Sequence, residues 1–386
     1  MKVPALDLKP QIQADRAALM EAMESVVDTA GFVLGPLVEE LEDSIASYVG
    51  TRHGIGVASG SDALLIALMA LDIGEGDAVI TTPYTFFATA GAIHRVGATP
   101  IFIDIRPDSF NIDEKLLAEY LEERCTVDTA RGLSRDISTG KLVRAIIPVH
   151  LFGQCAEMGP ITALAKKHNL PVIEDAAQAL GATCDGAMAG SMGDIACLSF
   201  YPTKNLGGFG DGGMITTSDD KLAERCRSIR VHGGERQYYH ATVGINSRLD
   251  ALQAAVLLVG MRRLEEWISM RSEHARAYSL ELAGVKGIVP PPTLEAKRHT
   301  FNQYVIRSTR RDELRACLAE QEIGSAIYYP LPLHLQECFS PLGYKDGDFP
   351  ESERAAAESL AIPMFPYLTQ EQRMIVTDAI KKFHEN

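Results

Sequence analysis

The chain has 386 residues, enough for a large core and two domains. With 46% hydrophobic and 23% charged residues, its composition is that of an ordinary globular protein. A formal net charge of -14 argues against non-specific attachment to nucleic acid or an anionic membrane, yet permits a local basic pocket for a small anion.

The opening "MKVPALDLKPQ" lacks the continuous apolar segment of a secretion signal, and no apolar run approaches the length of a membrane span. Residues 15–30 predict a helix. "GPLVEELEDSIASYVG" predicts another, with Pro36 near its start and Gly50 beyond its end. Short apolar runs follow at 56–58, 78–81, 99–104, 144–149, 171–175 and 195–200, most of them separated by helix-length segments such as 62–71 and 158–168. This alternation predicts an α/β fold, a mainly parallel sheet flanked by helices. The polar stretch "CTVDTARGLSRDISTGK" at 125–141 predicts an exposed loop. From residue 247, "SRLDALQAAVLLVGMRRLEEWISMRSEHARAYSLEL" reads as one long helix, interrupted only mildly at Gly260. "VPPP" at 289–292 is a breaker. Beyond it, "NQYVIRS" reads as a strand, and 311–321 and 370–382 as helices. The expected division is a large α/β domain over residues 1–250, with its N-terminal helical segment. A long linking helix and a smaller C-terminal α+β domain would follow over 251–386. The seven cysteines are scattered and form no C-x-x-C pair, so neither a disulfide framework nor a zinc site is expected. A soluble, reduced, cytoplasmic protein without a metal is the expectation.

Parallel sheets bind ligands beyond the carboxyl ends of their strands. Four constellations sit there. "ASGSDALLIALMAL" places Gly60, Ser61 and Asp62 at a helix start, either a phosphate site or a plain serine cap. "TPYTFFATAGAI" places Tyr84, Phe86 and Phe87 after a strand, either as a stacking platform for a flat ring or as core. "PVIEDAAQALGA" ends a strand in Glu174 and Asp175, with Gln178 one turn on. A carboxylate there needs a cation such as a ring nitrogen, unless it caps a helix beginning at Ala176. "SFYPTKNLGGFGDGG" puts Ser199 and Lys204 beside five glycines, and a lysine so placed has reason for a depressed pKa. Farther on, "VGINSRLDALQ" offers Asn246 and Arg248 before the long helix, either as an anion clamp or as a cap with a surface arginine. Jointly these are a phosphate cup, a stacking ring, a carboxylate for a pyridinium nitrogen and a lysine for a Schiff base, the parts of a pyridoxal phosphate site.

With "GFVLGPLVEELE", "IIPVHLFGQ", "SFYPTKNLGGFGDGGMITT", "RVHGG", "GINSRLDALQAAVL" and "YYPLPLHLQ" in order along the chain, the sequence resembles the sugar aminotransferases of the DegT/StrS group. These are pyridoxal 5′-phosphate enzymes of the aspartate aminotransferase fold. The resemblance implies that Lys204 forms the Schiff base, Asp175 holds the ring nitrogen and Phe86 stacks on the ring. It places Gln178 beside the ring hydroxyl, with Gly60, Ser61, Asp62 (by its backbone) and Ser199 forming the phosphate cup. Asn246 would reach the phosphate from the other subunit of a homodimer, and Arg248 would face the amino donor or sugar. Tyr328, Tyr329 and His334, with Arg236, Tyr238, Tyr239 and His240, are expected sugar contacts.

The implied reaction transfers an amine from a donor such as L-glutamate, through pyridoxamine 5′-phosphate, to a nucleotide-linked ketosugar. The best expectation is a 3-keto sugar linked to UDP or dTDP, giving an amino sugar for polysaccharide or glycoside biosynthesis. The alternatives are a ketosugar dehydratase of the same family, which carries histidine where Lys204 stands, and a non-enzymatic regulator that binds the cofactor. Two departures stand out: the long stretch 125–141, and Tyr328 where relatives acting on 3-keto uronic acid sugars often have histidine.

Overall fold

The computed structural model describes residues 2–385 apart from 130, 237 and 293–295. The strands in chain order are β1 (His53–Val57), β2 (Asp77–Thr81), β3 (Thr99–Phe102), β4 (Cys125–Asp128), β5 (Leu133–Asp136) and β6 (Leu142–Ile146). They continue with β7 (Ile173–Asp175), β8 (Thr183–Cys184), β9 (Ala187–Met188), β10 (Ile195–Ser199) and β11 (Gly213–Thr217).

β3, β2 and β6 pair in parallel, as do β7 and β10. Bridges from Ile146 to Val172 and from Val149 to Asp175 join the two groups into one sheet. β11 lies between β10 and β1 and runs antiparallel to both, so β1 points the same way as the parallel strands. The expectation of a mainly parallel sheet therefore holds, with two reversed strands, β11 and β5, that were not foreseen.

Helices cover both faces. Gly60–Ala70 packs its apolar residues with Ile55, Val79, Ile173, Ile195 and Ile215. Pro36–Val49 and Ala251–Met261 close the other side against Leu198, Phe200 and Met214. Every residue of β2 and β11 is buried, as expected of strands sandwiched between helical layers.

Two predicted elements are corrected. Within 125–141, β4 and β5 pair antiparallel, β5 adds antiparallel to the edge of β6, and Ser134 and Asp136 are buried. The long helix is two helices, Ala251–Met261 and Leu264–Glu281. They part just after Gly260, where Arg263 N donates to the Gly260 carbonyl (2.9 Å), a tightened turn that ends the first ladder.

β12 (Gly234–Arg236) and β13 (Tyr239–His240) form an exposed hairpin, and β14 (Lys297–Arg298) pairs with β8. β15 (Tyr304–Arg307) and β16 (Ser359–Ile362) pair antiparallel and pack with helices Arg311–Glu320 and Gln370–Glu385. Val3 from the opposite end of the chain joins that C-terminal core, tied by Val3 N to the Glu322 carbonyl at 3.0 Å. Among the described residues no helix is long and apolar enough to cross a membrane, and no group of three His, Cys, Asp or Glu could hold a metal.

Candidate active site

A cavity of about 490 Å³ opens beyond the carboxyl ends of β1, β2, β7 and β10. Gly60, Ser61, Phe86, Asp175, Gln178, Ser199, Lys204, Tyr328 and Tyr329 all line it, so nine of the residues singled out from sequence meet in one place.

Its anion-facing wall is the start of helix Gly60–Ala70. The cap is Ser59, whose hydroxyl accepts from Asp62 N at 3.1 Å, while Ala63 N donates to the Ser59 carbonyl at 3.0 Å. The N–H groups of Gly60 and Ser61 belong to this first turn and have no partner within the helix, and the helix dipole there also favours a negative charge. Gly60 has to be glycine, since a Cβ there would stand 2.8 Å from the Ser199 Cβ. Its absence brings the Ser199 hydroxyl against the helix start. Gly213 opens the reversed strand by the same means, as its Cβ would stand 2.5 Å from the Ser59 carbonyl carbon. Asp62 does not line the cavity: its N–H is committed to Ser59 and its carboxylate accepts from the Ser247 hydroxyl at 2.8 Å. Ser59 was missed in the sequence, although a hydroxyl before a glycine and a buried helix is a cap signal.

Asp175 ends β7 and is 6% exposed. No helix follows it, so it caps none. Its carboxylate accepts from the Thr89 hydroxyl at 2.7 Å and from Ala177 N at 3.3 Å, and makes no ion pair among the described residues. Burial pushes its carboxyl up, opposed by those two bonds and by the charge of Lys204. Burial also lowers the Lys204 ammonium to about 8, partly offset by Asp175. The Lys204 amine makes no hydrogen bond or ion pair with a described residue.

Phe86 is 59% exposed, presenting an apolar ring to the cavity near Leu64 and Val149. Phe87 instead stacks on Phe339 with centroids 5.7 Å apart, and Tyr84 is buried with its hydroxyl 2.6 Å from that of Ser359. Gln178 donates to the Tyr329 hydroxyl at 2.7 Å and accepts from Phe152 N at 2.7 Å. Tyr201, Thr203, Asp211 and Gln303 complete the lining and had not been singled out.

Seven expected contacts lie elsewhere in this chain. His334 is buried against Phe349 and bonded to Glu353 at 3.0 Å, away from the cavity, because "LPLHLQ" forms a short 3-10 turn facing inward. Arg248 lines a neighbouring cavity with Asp211, Asp250 and Gln253. Asn246 is exposed and bridges Val231 through its backbone. Arg236, Tyr238, Tyr239 and His240 sit on the exposed β12–β13 hairpin, where Arg236 lies over the Tyr239 ring at 4.1 Å.

A cation-seeking buried carboxylate, an amine lowered toward neutrality, an open aromatic face and a helix start beside two serines fit the ring nitrogen, aldehyde, ring face and phosphate of pyridoxal 5′-phosphate. Comparison with known proteins agrees. The model of the DegT/DnrJ/EryC1/StrS aminotransferase family matches residues 13–381. A "Pleiotropic regulatory protein" of Geobacillus stearothermophilus is 48% identical over the whole of both chains. The dTDP-3-amino-3,4,6-trideoxy-alpha-D-glucose transaminase of Streptomyces venezuelae is 38% identical, covering 100% of this chain and 97% of its own. A UDP-N-acetyl-3-dehydro-alpha-D-glucosamine 3-aminotransferase of Acidithiobacillus ferrooxidans is 39% identical, with 98% and 97% covered. The crystal structure of NtdA from Bacillus subtilis with bound cofactor PMP superposes with a TM-score of 0.88 at 30% identity, covering 100% of this chain and 86% of that one.

Proposed function

The chain belongs to the DegT/DnrJ/EryC1/StrS aminotransferase family, and we propose that it moves an amino group from L-glutamate to the 3-keto group of a sugar linked to dTDP or UDP. The observation that carries this reading is that Lys204 and Asp175 line one cavity, with burial lowering the lysine's pKa and raising the carboxyl's. The position of the keto group and the nucleotide rest on the relatives from S. venezuelae and A. ferrooxidans.

Pyridoxal 5′-phosphate, when bound, supplies an electron sink for the pair left behind as the donor's α-proton departs. The rest is the work of the chain. Gly60, Ser61 and Ser199 would hold the phosphate, Phe86 the ring face, Asp175 the protonated ring nitrogen and Lys204 the aldehyde. Once the donor's amine had displaced it from the aldehyde, the freed Lys204 Nζ, its pKa lowered to about 8 by burial, would take the proton from the donor's α-carbon and in the second half deliver one to the sugar's C3. Tyr201, Thr203, Gln303, Tyr328 and Tyr329 are among the polar groups at the cavity available to sugar hydroxyls. Arg248, in the neighbouring cavity, suits a donor carboxylate.

A homodimer is part of this reading. Exposed Asn246, and Tyr238 and Tyr239 on their hairpin, are surfaces that a second copy would cover. The seven free cysteines support a reducing compartment, the cytoplasm. The regulatory name of the G. stearothermophilus relative is set against the transaminases of S. venezuelae and A. ferrooxidans, which match this chain over nearly their whole length. Dehydration is disfavoured by Lys204 itself.

The test is product formation from a panel of dTDP- and UDP-linked 3-keto and 4-keto sugars with glutamate. Amination of a 3-keto sugar with release of 2-oxoglutarate is expected. A protein that binds the cofactor but aminates no member of the panel would overturn the assignment.

A further inference from the structure

Taking the cavity as a pyridoxal 5′-phosphate site, we propose that Thr89 is a positioning residue: its hydroxyl, oriented by Thr85, fixes Asp175 as an ionised carboxylate, the form that keeps the cofactor's ring nitrogen protonated. Thr89 is fully buried on helix Ala88–Arg95, which begins just after the cavity-lining Thr85 and Phe86. Its Oγ1 is 2.7 Å from Asp175 Oδ2, and Thr85 Oγ1 is 3.2 Å from Thr89 Oγ1.

The hydroxyl of Thr89 has one proton to give. An ionised carboxylate has none, so Thr89 donates to Asp175 and Thr85 donates to Thr89. The two hydroxyls form a chain polarised toward the carboxylate. A neutral Asp175 carrying its proton on Oδ2 would reverse that chain. The backbone holds Asp175 in place, with Asp175 N donating to the Pro148 carbonyl at 2.9 Å and His150 N to the Asp175 carbonyl at 3.0 Å.

Lys204, His150, Tyr329, Cys197 and Glu174 are the ionisable groups around it. Lys204 contributes charge only while protonated, and the proposed chemistry needs its neutral amine. Thr89 and the longer bond from Ala177 N favour the ionised form in either state of Lys204, and Thr89 is the side chain of the two. Valine would fill the same volume, so the hydroxyl is the only thing lost in Thr89→Val.

The holoenzyme is loaded with pyridoxamine 5′-phosphate labelled with ¹⁵N in the ring, and the ring nitrogen signal is followed against pH. In Thr89→Val the protonated fraction at neutral pH falls, with the proton equilibrium moved about tenfold toward the carboxyl, as loss of one hydrogen bond to a charged group predicts. Transamination slows, and Thr89→Ser restores both the signal and the rate. Thr85→Val gives the same displacement, smaller, and stands in if Thr89→Val does not fold. A ring signal unmoved in Thr89→Val, or in Thr85→Val where only that variant folds, overturns the role of Thr89, as does Thr89→Ser failing to restore it. A wild-type protein that binds no labelled cofactor overturns the reading of the cavity along with it, so the two failures are distinct.

Discussion

Glu174 and Asp175 are neighbours on one strand with opposite surroundings. The Glu174 carboxylate is saturated: Met192 N (2.7 Å) and Gly193 N (2.6 Å) donate to one oxygen, and Gly190 N (2.9 Å) and His150 Nε2 (2.8 Å) to the other. His150 Nδ1 accepts from Ala156 N at 3.1 Å, which leaves Nε2 as the protonated nitrogen. Asp175 has one hydroxyl, one long backbone contact and an open cavity.

The two carboxylates should therefore fail differently. In Glu174→Gln the amide nitrogen faces two donors whichever way it is turned, so stability falls by about 3 kcal/mol. Asp175→Asn removes a carboxylate that burial already disfavours, so the fold should be no less stable. Transamination should fall by roughly 10²–10³. Thermal unfolding and kcat/KM measured side by side check the contrast.

Lys204 gives a pH prediction for the cofactor-free protein. Its ammonium titrates near 8 in the fold, against 10.5 for an ordinary lysine, so the unfolded chain binds the extra proton more tightly. Below about pH 8 the fold carries the full penalty, which fades as pH rises through 8 toward 10.5. Lys204→Met should thus be more stable than wild type at pH 7, by about 3 kcal/mol, and the advantage should vanish above about pH 10.5. Denaturant titrations of both proteins across that range measure it. An advantage independent of pH would mean that packing, not charge, is responsible. Lys204→Ala should also abolish turnover, losing at least about 10²–10⁴ in rate.

The helix start can be tested without touching a charge. Gly60→Ala puts a methyl 2.8 Å from the Ser199 Cβ and 3.2 Å from its Oγ, displacing one of two hydroxyls from the cup. The affinity for pyridoxal 5′-phosphate should fall about tenfold, as for loss of one hydrogen bond to a charged group, while unrelated stability is kept. Ser199→Ala should weaken cofactor binding in the same direction. Ser59→Ala removes the cap instead and should cost about 1 kcal/mol of fold stability. Equilibrium titration with the cofactor, alongside unfolding curves, separates the two effects.

What was legible in the chain follows from which forces are local. Buried parallel strands are short apolar runs, and each run contained or overlapped a strand. The rule that ligands sit at strand ends then brought Ser61, Phe86, Asp175 and Ser199 together. β11 escaped because "GMITT" carries no signal of direction, and its reversal depends on Gly213 passing the Ser59 backbone. The β4–β5 hairpin escaped because "CTVD" and "LSRD" are too polar to read as strands; their pairing comes from the edge of β6. His334 looked available because its partner, Glu353, lies in a different helix. Thr89 was invisible for the same reason: its acceptor is 86 residues away.

Tyr329 is fixed on every side but one. Its ring is stacked on Phe152 at 17° and meets Tyr84 edge-on with centroids 5.4 Å apart, so it cannot swing. Its hydroxyl accepts from Gln178, whose carbonyl oxygen is held by Phe152 N. The hydroxyl proton is thus left for a ligand in the cavity that Tyr329 lines. Burial pushes the phenol well above its usual range, so it acts as a donor and not as a base. Tyr329→Phe preserves the packing and removes only that proton and the Gln178 acceptor. Unfolding should shift by no more than about 1 kcal/mol, while kcat/KM falls about tenfold with no new pH dependence. A loss that appeared only in the unfolding curve would assign Tyr329 to the core, and a new basic limb in the pH profile would make it a proton carrier after all.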